Sequence, residues 1–369
     1  MPGPSAARTS VRRRAGALVA TLALAAGLAP AAVAGAGAAA ALVVGDCQGS
    51  PDRVCRFSGQ DRIETAIAAS QDLFDAAGTD NGAQAVVLAG STAFADALSG
   101  VPLAFVKGGP LLLTPASGLD SRVLAEIKRV LPAGGKVYLL GGTASLSDTV
   151  LRSLKNDGYD VQRVWGPDRY ATALAVAGEV GDVASIALAS GTDFPDALGA
   201  GNAMAGISGS DGAGTPVNGV VLLTQGSTVS PEVADFVRAH PGAELFSVGG
   251  LAATAASRAG LPVTASFVGD NRYATAAKVA DYFYGSSDAT HGPLIAGLAS
   301  GVAFPDALAG GLDAAYVGAP MLLTSPTTLT SAASSFLSRY RSSIAEVDVY
   351  GGTGVVSAGV AGAALSAIR

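Results

Sequence analysis

Histidine occurs twice in 369 residues, cysteine twice and tryptophan once, and aromatics make up only 6% of the chain. Each scarcity excludes something. The two histidines, His240 and His291, sit in unrelated surroundings, so no recurring base or metal-ligand set exists. No H-E-x-x-H, G-x-S-x-G or G-x-x-x-x-G-K-[ST] signature is present either. Two cysteines without a neighbouring histidine make no metal site. In an oxidising compartment Cys47 and Cys55 can instead close a short loop that ties down the start of the mature chain. Charged residues are 14% of the total and form no basic tract, so nucleic acid is not expected as a ligand. Beyond the first 46 residues there is no run of ~20 apolar residues, hence no expected membrane span.

What is abundant is small and apolar. Hydrophobic residues reach 49% and there are 49 glycines, which suits close-packed helices on buried sheets rather than disorder. At the start, Arg12, Arg13 and Arg14 precede "AGALVATLALAAGLAP", followed by A-x-A sites at Ala32–Ala34 and Ala38–Ala40. A basic segment, an apolar segment and small residues before a cleavage point describe a secretory leader over residues 1–40. The alternative, an uncleaved anchor, is disfavoured by Pro30 and the Gly/Ala run. Without the leader's four arginines, 19 Lys+Arg face 29 Asp+Glu, a net of −10.

An internal repeat decides the organisation. "GQDRIETA" (Gly59–Ala66), "GPDRYATA" (Gly166–Ala173) and "GDNRYATA" (Gly269–Ala276) recur about a hundred residues apart, each after a short apolar stretch. Behind each follow "LAGSTAFADALSG", "LASGTDFPDALGA" or "LASGVAFPDALAG", then "PLLLT", "VVLLT" or "PMLLT", then "VYLLGG", "LFSVGG" or "VDVYGG". Short, continuously apolar runs bounded by Gly or Thr read as strands buried on both faces. Helical patterns such as "SPEVADFVRAH", with Ser230 as N-cap and Pro231 at the first position, lie between them. Alternating strands and helices predict α/β units with parallel sheets, separately folded, at about residues 53–160, 161–262 and 263–369.

Asp61, Asp168 and Asn271 stand where a helix begins and are expected to cap it, Asn serving as well as Asp. The following Arg62, Arg169 and Arg272 each carry a planar five-donor fork suited to carboxylate or phosphate. Two readings stand side by side: a salt bridge between units, reaching the Asp of D-A-L, or a contact to an anionic ligand. Asp96, Asp196 and Asp306 of that D-A-L are expected inside a first helical turn, where their charge suits the dipole and repels phosphate. One carboxylate per unit makes neither a metal site nor an acid/base pair. Three like units without a unique catalytic set point to binding rather than turnover, with no cofactor.

The composite motif G-x-D-R-Y-x-T-A, L-A-S-G-x-x-F-P-D-A-L, P-x-L-L-T and G-G, in three copies across nearly the whole mature chain, resembles the cell wall-binding repeat 2 (CWB2) family. That resemblance implies an exported protein of a Gram-positive-type wall, held there non-covalently. It implies a partner that is an anionic, teichoic-acid-like polymer or a peptidoglycan-associated glycan. It also implies three Toprim-like modules in a pseudo-threefold arrangement, with grooves between them; Arg62, Arg169, Arg272, Tyr170 and Tyr273 are the candidates to meet polymer or the next module. Family members usually carry an effector region, and none is expected within these 369 residues. Ile63 replaces Tyr in the first copy and Asn271 replaces Asp in the third, so the three sites need not be equivalent. A wall hydrolase using the D-A-L carboxylates and a surface-layer or adhesion component are the rival expectations.

Overall fold

The computed structural model describes residues 43–49, 52–92, 96–193, 195–210, 216–286 and 292–369. The leader assigned to residues 1–40 and His291 lie outside the described residues. A hairpin of β1 (Val43–Gln48) and β2 (Arg53–Ser58) opens the chain. The first unit continues with β3 (Ala85–Gly90), β4 (Leu111–Thr114) and β5 (Lys136–Leu140). The second contains β6 (Asp160–Val164), β7 (Val183–Ser190), β8 (Gly209–Ser210), β9 (Pro216–Thr224) and β10 (Glu244–Val248). The third contains β11 (Ala265–Phe267), β12 (Ile295–Ser300), β13 (Met321–Thr324) and β14 (Glu346–Tyr350). Every residue of β3, β4, β12 and β13 is buried. Helices cover both faces, so these strands carry no polar alternation.

The strands form three sheets, ordered β4-β3-β5-β6, β11-β10-β7-β9-β8 and β1-β2-β14-β12-β13. All pairings are parallel except β1 with β2 and β8 with β9. Sheet and repeat are thus offset by one strand. The strand that opens each repeat joins the sheet of the preceding repeat: β6 pairs β5, β11 pairs β10, and β2 crosses to β14 at the far end of the chain. The units form a closed cycle. Separate folding is therefore corrected, for no unit completes its own sheet. One buried cluster also runs through all three units, from Cys55 and Phe57 through Leu188 and Met204 to Tyr350.

Two helices per unit face this shared core. The helices after the G-x-[DN]-R motif are α1 (Arg62–Leu73), α5 (Arg169–Val180) and α9 (Arg272–Tyr284). Those at or after D-A-L are α2 (Gly100–Val106), α6 (Pro195–Gly206) and α10 (Pro305–Tyr316). The small residues of α2, α6 and α10 let these three pack pairwise on one another. Each of α1, α5 and α9 lies on its own unit's β4, β9 or β13 and on the D-A-L helix of the preceding unit. Outer helices α3 (Ser121–Val130), α4 (Asp148–Asn156), α7 (Pro231–Ala239), α8 (Gly250–Arg258), α11 (Ser331–Arg339) and α12 (Ala358–Ala367) complete the layers. Ser230 caps α7 through Val233 N, with Pro231 at its first position.

One helix start departs from expectation. Asp196 and Asp306 lie in the first turns of α6 and α10, but Asp96 lies in a turn ahead of α2, which begins at Gly100. Pro102 is the reason. Starting the helix near Asp96 would put a residue without an N–H in its interior, whereas a start at Gly100 places Pro102 in the first turn.

Candidate functional site

The motif residues gather at three seams, where the end of one sheet meets the G-x-[DN]-R segment of the next unit. Helix capping fixes that segment. Asp61 Oδ1 accepts from Ile63 N and Glu64 N, both at 3.0 Å. Asp168 Oδ1 accepts from Tyr170 N (3.0 Å) and Ala171 N (2.8 Å), and Asn271 Oδ1 from Tyr273 N (3.1 Å) and Ala274 N (3.0 Å). Two first-turn N–H groups are satisfied each time, an effect of ~1 kcal/mol per helix.

Capping aims the next side chain at its own sheet. Arg62, Arg169 and Arg272 donate from Nη1 to the carbonyls of Ser91 (2.8 Å), Gly191 (2.6 Å) and Gly301 (2.7 Å). Those carbonyls sit just past β3, β7 and β12. Across the seam, Arg272 Nη2 lies 3.3 Å from Asp193 Oδ2, and the Arg62 guanidinium lies 5.9 Å from the Phe304 ring centroid. The ion pair at the second seam thus falls three residues before the D-A-L aspartate. Arg62 is exposed, and Arg169 and Arg272 are half-buried.

The tyrosines have a packing partner that sequence reasoning missed. Tyr170 and Tyr273 lie against Gly191 and Gly301, where an added Cβ would stand 2.8 Å and 2.6 Å from Cε1 of the ring. The first unit replaces both members at once, with Ile63 for the tyrosine and Ser91 for the glycine.

Each D-A-L carboxylate rests on the first glycine of its own G-G pair. Gly141, Gly249 and Gly351 have φ of 91°, 88° and 105°. A Cβ at any of them would fall under 3.0 Å from Oδ2 of Asp96, Asp196 or Asp306. Glycine is required here for backbone conformation and for space together. The surroundings then diverge. Asp96 accepts a hydrogen bond from Ser145 Oγ. Burial, reinforced by Asp193 and opposed by Arg272, pushes the Asp196 carboxyl up to about 6. Asp306 is 5% exposed, and its burial raises the carboxyl against the opposing pull of the Thr65 hydroxyl and Arg62.

Two further arginines hold the same loop. Arg56 Nη1 donates to Gly351 O at 2.5 Å, and Arg163 Nη1 donates to Gly141 O (3.0 Å) and Leu146 O (2.7 Å). Their signal was present, since both stand three residues before the motif glycine, where the third copy has Ser266. At the rims, Trp165 is 55% exposed beside Gly142, and Val268 is 41% exposed beside Gly250.

Other candidates lie apart from the seams. His240 Nδ1 contacts Phe236 O at 2.8 Å on an outer helix end. Among the described residues one grouping, Cys55, Glu346 and Asp348, has metal-like spacing. It makes no ligand set, because Cys55 is disulfide-bonded to Cys47 and Glu346 holds Arg53 at 2.5 Å.

The cell wall binding domain 2 (CWB2) profile matches the chain three times, over residues 56–151, 163–257 and 267–361. The chain belongs to this family. Each CWB2 match begins inside a strand that is handed to the preceding sheet, β2, β6 or β11. Among curated relatives, N-acetylmuramoyl-L-alanine amidase LytC of Bacillus subtilis (strain 168) is 26% identical over 283 residues, 76% of this chain and 52% of LytC. The amidase enhancer of the same organism is 32% identical over 143 residues, 39% of this chain and 19% of that protein. Among solved structures, Cwp8 from Clostridium difficile superposes with a TM-score of 0.70 at 25% identity, covering 85% of this chain and 51% of Cwp8. Cwp6 from the same organism gives 0.71 at 24%, covering 89% and 51%, a likeness of fold. The chain spans about half the length of LytC and of both Cwp structures. The CWB2 repeats and these relatives support cell wall binding.

Proposed function

We propose that this chain is an exported, non-catalytic protein that binds the bacterial wall non-covalently, its seams engaging an anionic secondary wall polymer. The observation that carries this reading is the threefold recurrence of one construction: a capped helix start, an arginine and a glycine-cradled carboxylate at each junction. The leader over residues 1–40 supplies the export signal in this reading. Pairwise packing of the D-A-L helices supports a pseudo-threefold arrangement of three Toprim-like modules.

Without the leader's four arginines the net charge of −10 opposes a polyanion at long range, but screening confines that repulsion to ~8 Å at physiological salt. Within that range the solvent-facing parts of Arg62, Arg169 and Arg272 supply the attraction. Three weak sites on one polymer then gain through effective concentration. Trp165, the chain's one tryptophan, sits exposed at the first seam and reports directly. Purified polymer should change its fluorescence, and the protein should sediment with intact walls but not with walls stripped of anionic polymer. Equal sedimentation with both preparations refutes polymer recognition.

The raised Asp196 carboxyl beside Asp193 is the observation that favours a wall hydrolase, since a general acid needs such tuning. That reading requires release of wall fragments that Asp196→Asn abolishes.

A further inference from the structure

The third seam holds a cavity. Among the described residues, only there is the donated strand covered by another, because β1 pairs along β2 while β6 and β11 stand at the ends of their sheets. Between this hairpin, the Gly351–Gly352 turn and α12 lies a space of about 320 Å³. Its polar lining is Asp46, Gln48, Arg56, Ser58 and Thr353, and its apolar wall includes Val54 and Ala361. We propose that this cavity binds one uncharged sugar residue of a wall glycan, a site separate from the arginine contacts at the seams.

Three features select that class. The volume lies at the lower end of the ~300–1,000 Å³ typical of ligand sites, which fits one ring rather than a length of polymer. The charged lining is balanced, since the Asp46 carboxylate acts on the Arg56 guanidinium, so neither a phosphate nor an ammonium group gains net attraction. Arg56 is further committed to the Gly351 carbonyl. The remaining carboxamide and two hydroxyls, from Gln48, Ser58 and Thr353, offer donors and acceptors together, which is what a ring bearing hydroxyl or acetamido groups requires. Val54 and Ala361 give its C–H face an apolar wall. The proposal rests on the wall-binding reading for its biological ligand, but its chemistry is testable alone.

Saturation-transfer NMR on the full chain, with N-acetylglucosamine and methyl glucoside as neutral probes and glycerol phosphate as the anionic one, decides it. The wild-type protein should transfer saturation to a neutral sugar and not to glycerol phosphate. Ala361→Phe fills the cavity from a half-buried helix position and should reduce that transfer at least tenfold. Arg56→Gln tests the cationic wall, and a circular-dichroism melt shows whether each variant folds. Transfer to neither neutral sugar, equal transfer in wild type and folded Ala361→Phe, or preferential binding of glycerol phosphate overturns the proposal. Wall sedimentation run in parallel separates the two readings. Sugar binding without wall binding sinks the polymer function and leaves the cavity standing, and wall binding without sugar binding does the reverse.

Discussion

The closing seam and the seam between the second and third units do the same job with different materials. At the latter the donated strand is β11, three residues long, and the chain runs directly from it into α9 of its own unit. Side chains finish the joint. Asn202, 2% exposed, donates to Gly311 O and Ala319 O and accepts from Met321 N, and Tyr284 Oη donates to Asn202 O. At the closing seam the partners come from opposite ends of the sequence, Arg53 and Glu346 standing 293 positions apart. There the donated strand is six residues long. An ion pair to a Glu346 that is 3% exposed, the Phe57–Tyr350 ring stack at 5.5 Å and a disulfide-backed second strand reinforce it. A short linker supplies high effective concentration; a distant strand must supply contact instead.

The largest expected effect therefore falls at the closing seam. Phe57→Ala removes a fully buried ring and should cost about 4 kcal/mol, whereas Phe267→Ala at the corresponding position of β11 should cost less. Denaturant melts that rank the pair the other way break the comparison. Next comes Asn202→Ala, which strands the Ala319 carbonyl and the Met321 N–H in a buried interface and takes a second donor from Gly311 O, at about 3 kcal/mol. Truncating Leu312, the residue at the same place in α10, leaves no such polar groups unpaired.

The third test is pH. Asp196 titrates at about 6 in the folded chain against ~3.9 unfolded. The folded state holds this proton more tightly, so its stabilising contribution is full below about pH 4 and is lost as pH rises through about 6. The loss amounts to about 2 kcal/mol, which melting curves from pH 4 to 7 should show and Asp196→Asn should remove. Smallest is Gly191→Ser, at about 1–2 kcal/mol, because the new Cβ meets the Tyr170 ring. Adding Tyr170→Ile recreates the Ile63/Ser91 pair of the first unit and should recover most of it, whereas additive losses in the double mutant would deny the coupling.

Much of this architecture was readable from local pattern. Continuous apolar runs such as "AVVLAG" and "PLLLT" announce strands covered on both sides, and Asp61, Asp168 and Asn271 announce helix starts. What escaped was non-local. "RVCRFS" says strand, but nothing nearby says that its partner is β14, so the units looked self-contained. Pro102 could have shown that Asp96 precedes its helix, and an arginine three residues before the glycine in two copies could have pointed to the loop clamp. The tyrosine–glycine pairing needed coordinates, since the partners are 21 and 28 residues apart in sequence.

Handing each opening strand backwards also limits how such a chain changes its copy number. Because α2, α6 and α10 already touch on every side, a supernumerary copy has no berth among them. Losing one copy removes both a donor and a recipient and leaves a bare hydrogen-bonding edge open to foreign strands. A variant with one repeat deleted should therefore aggregate rather than fold as a smaller soluble protein.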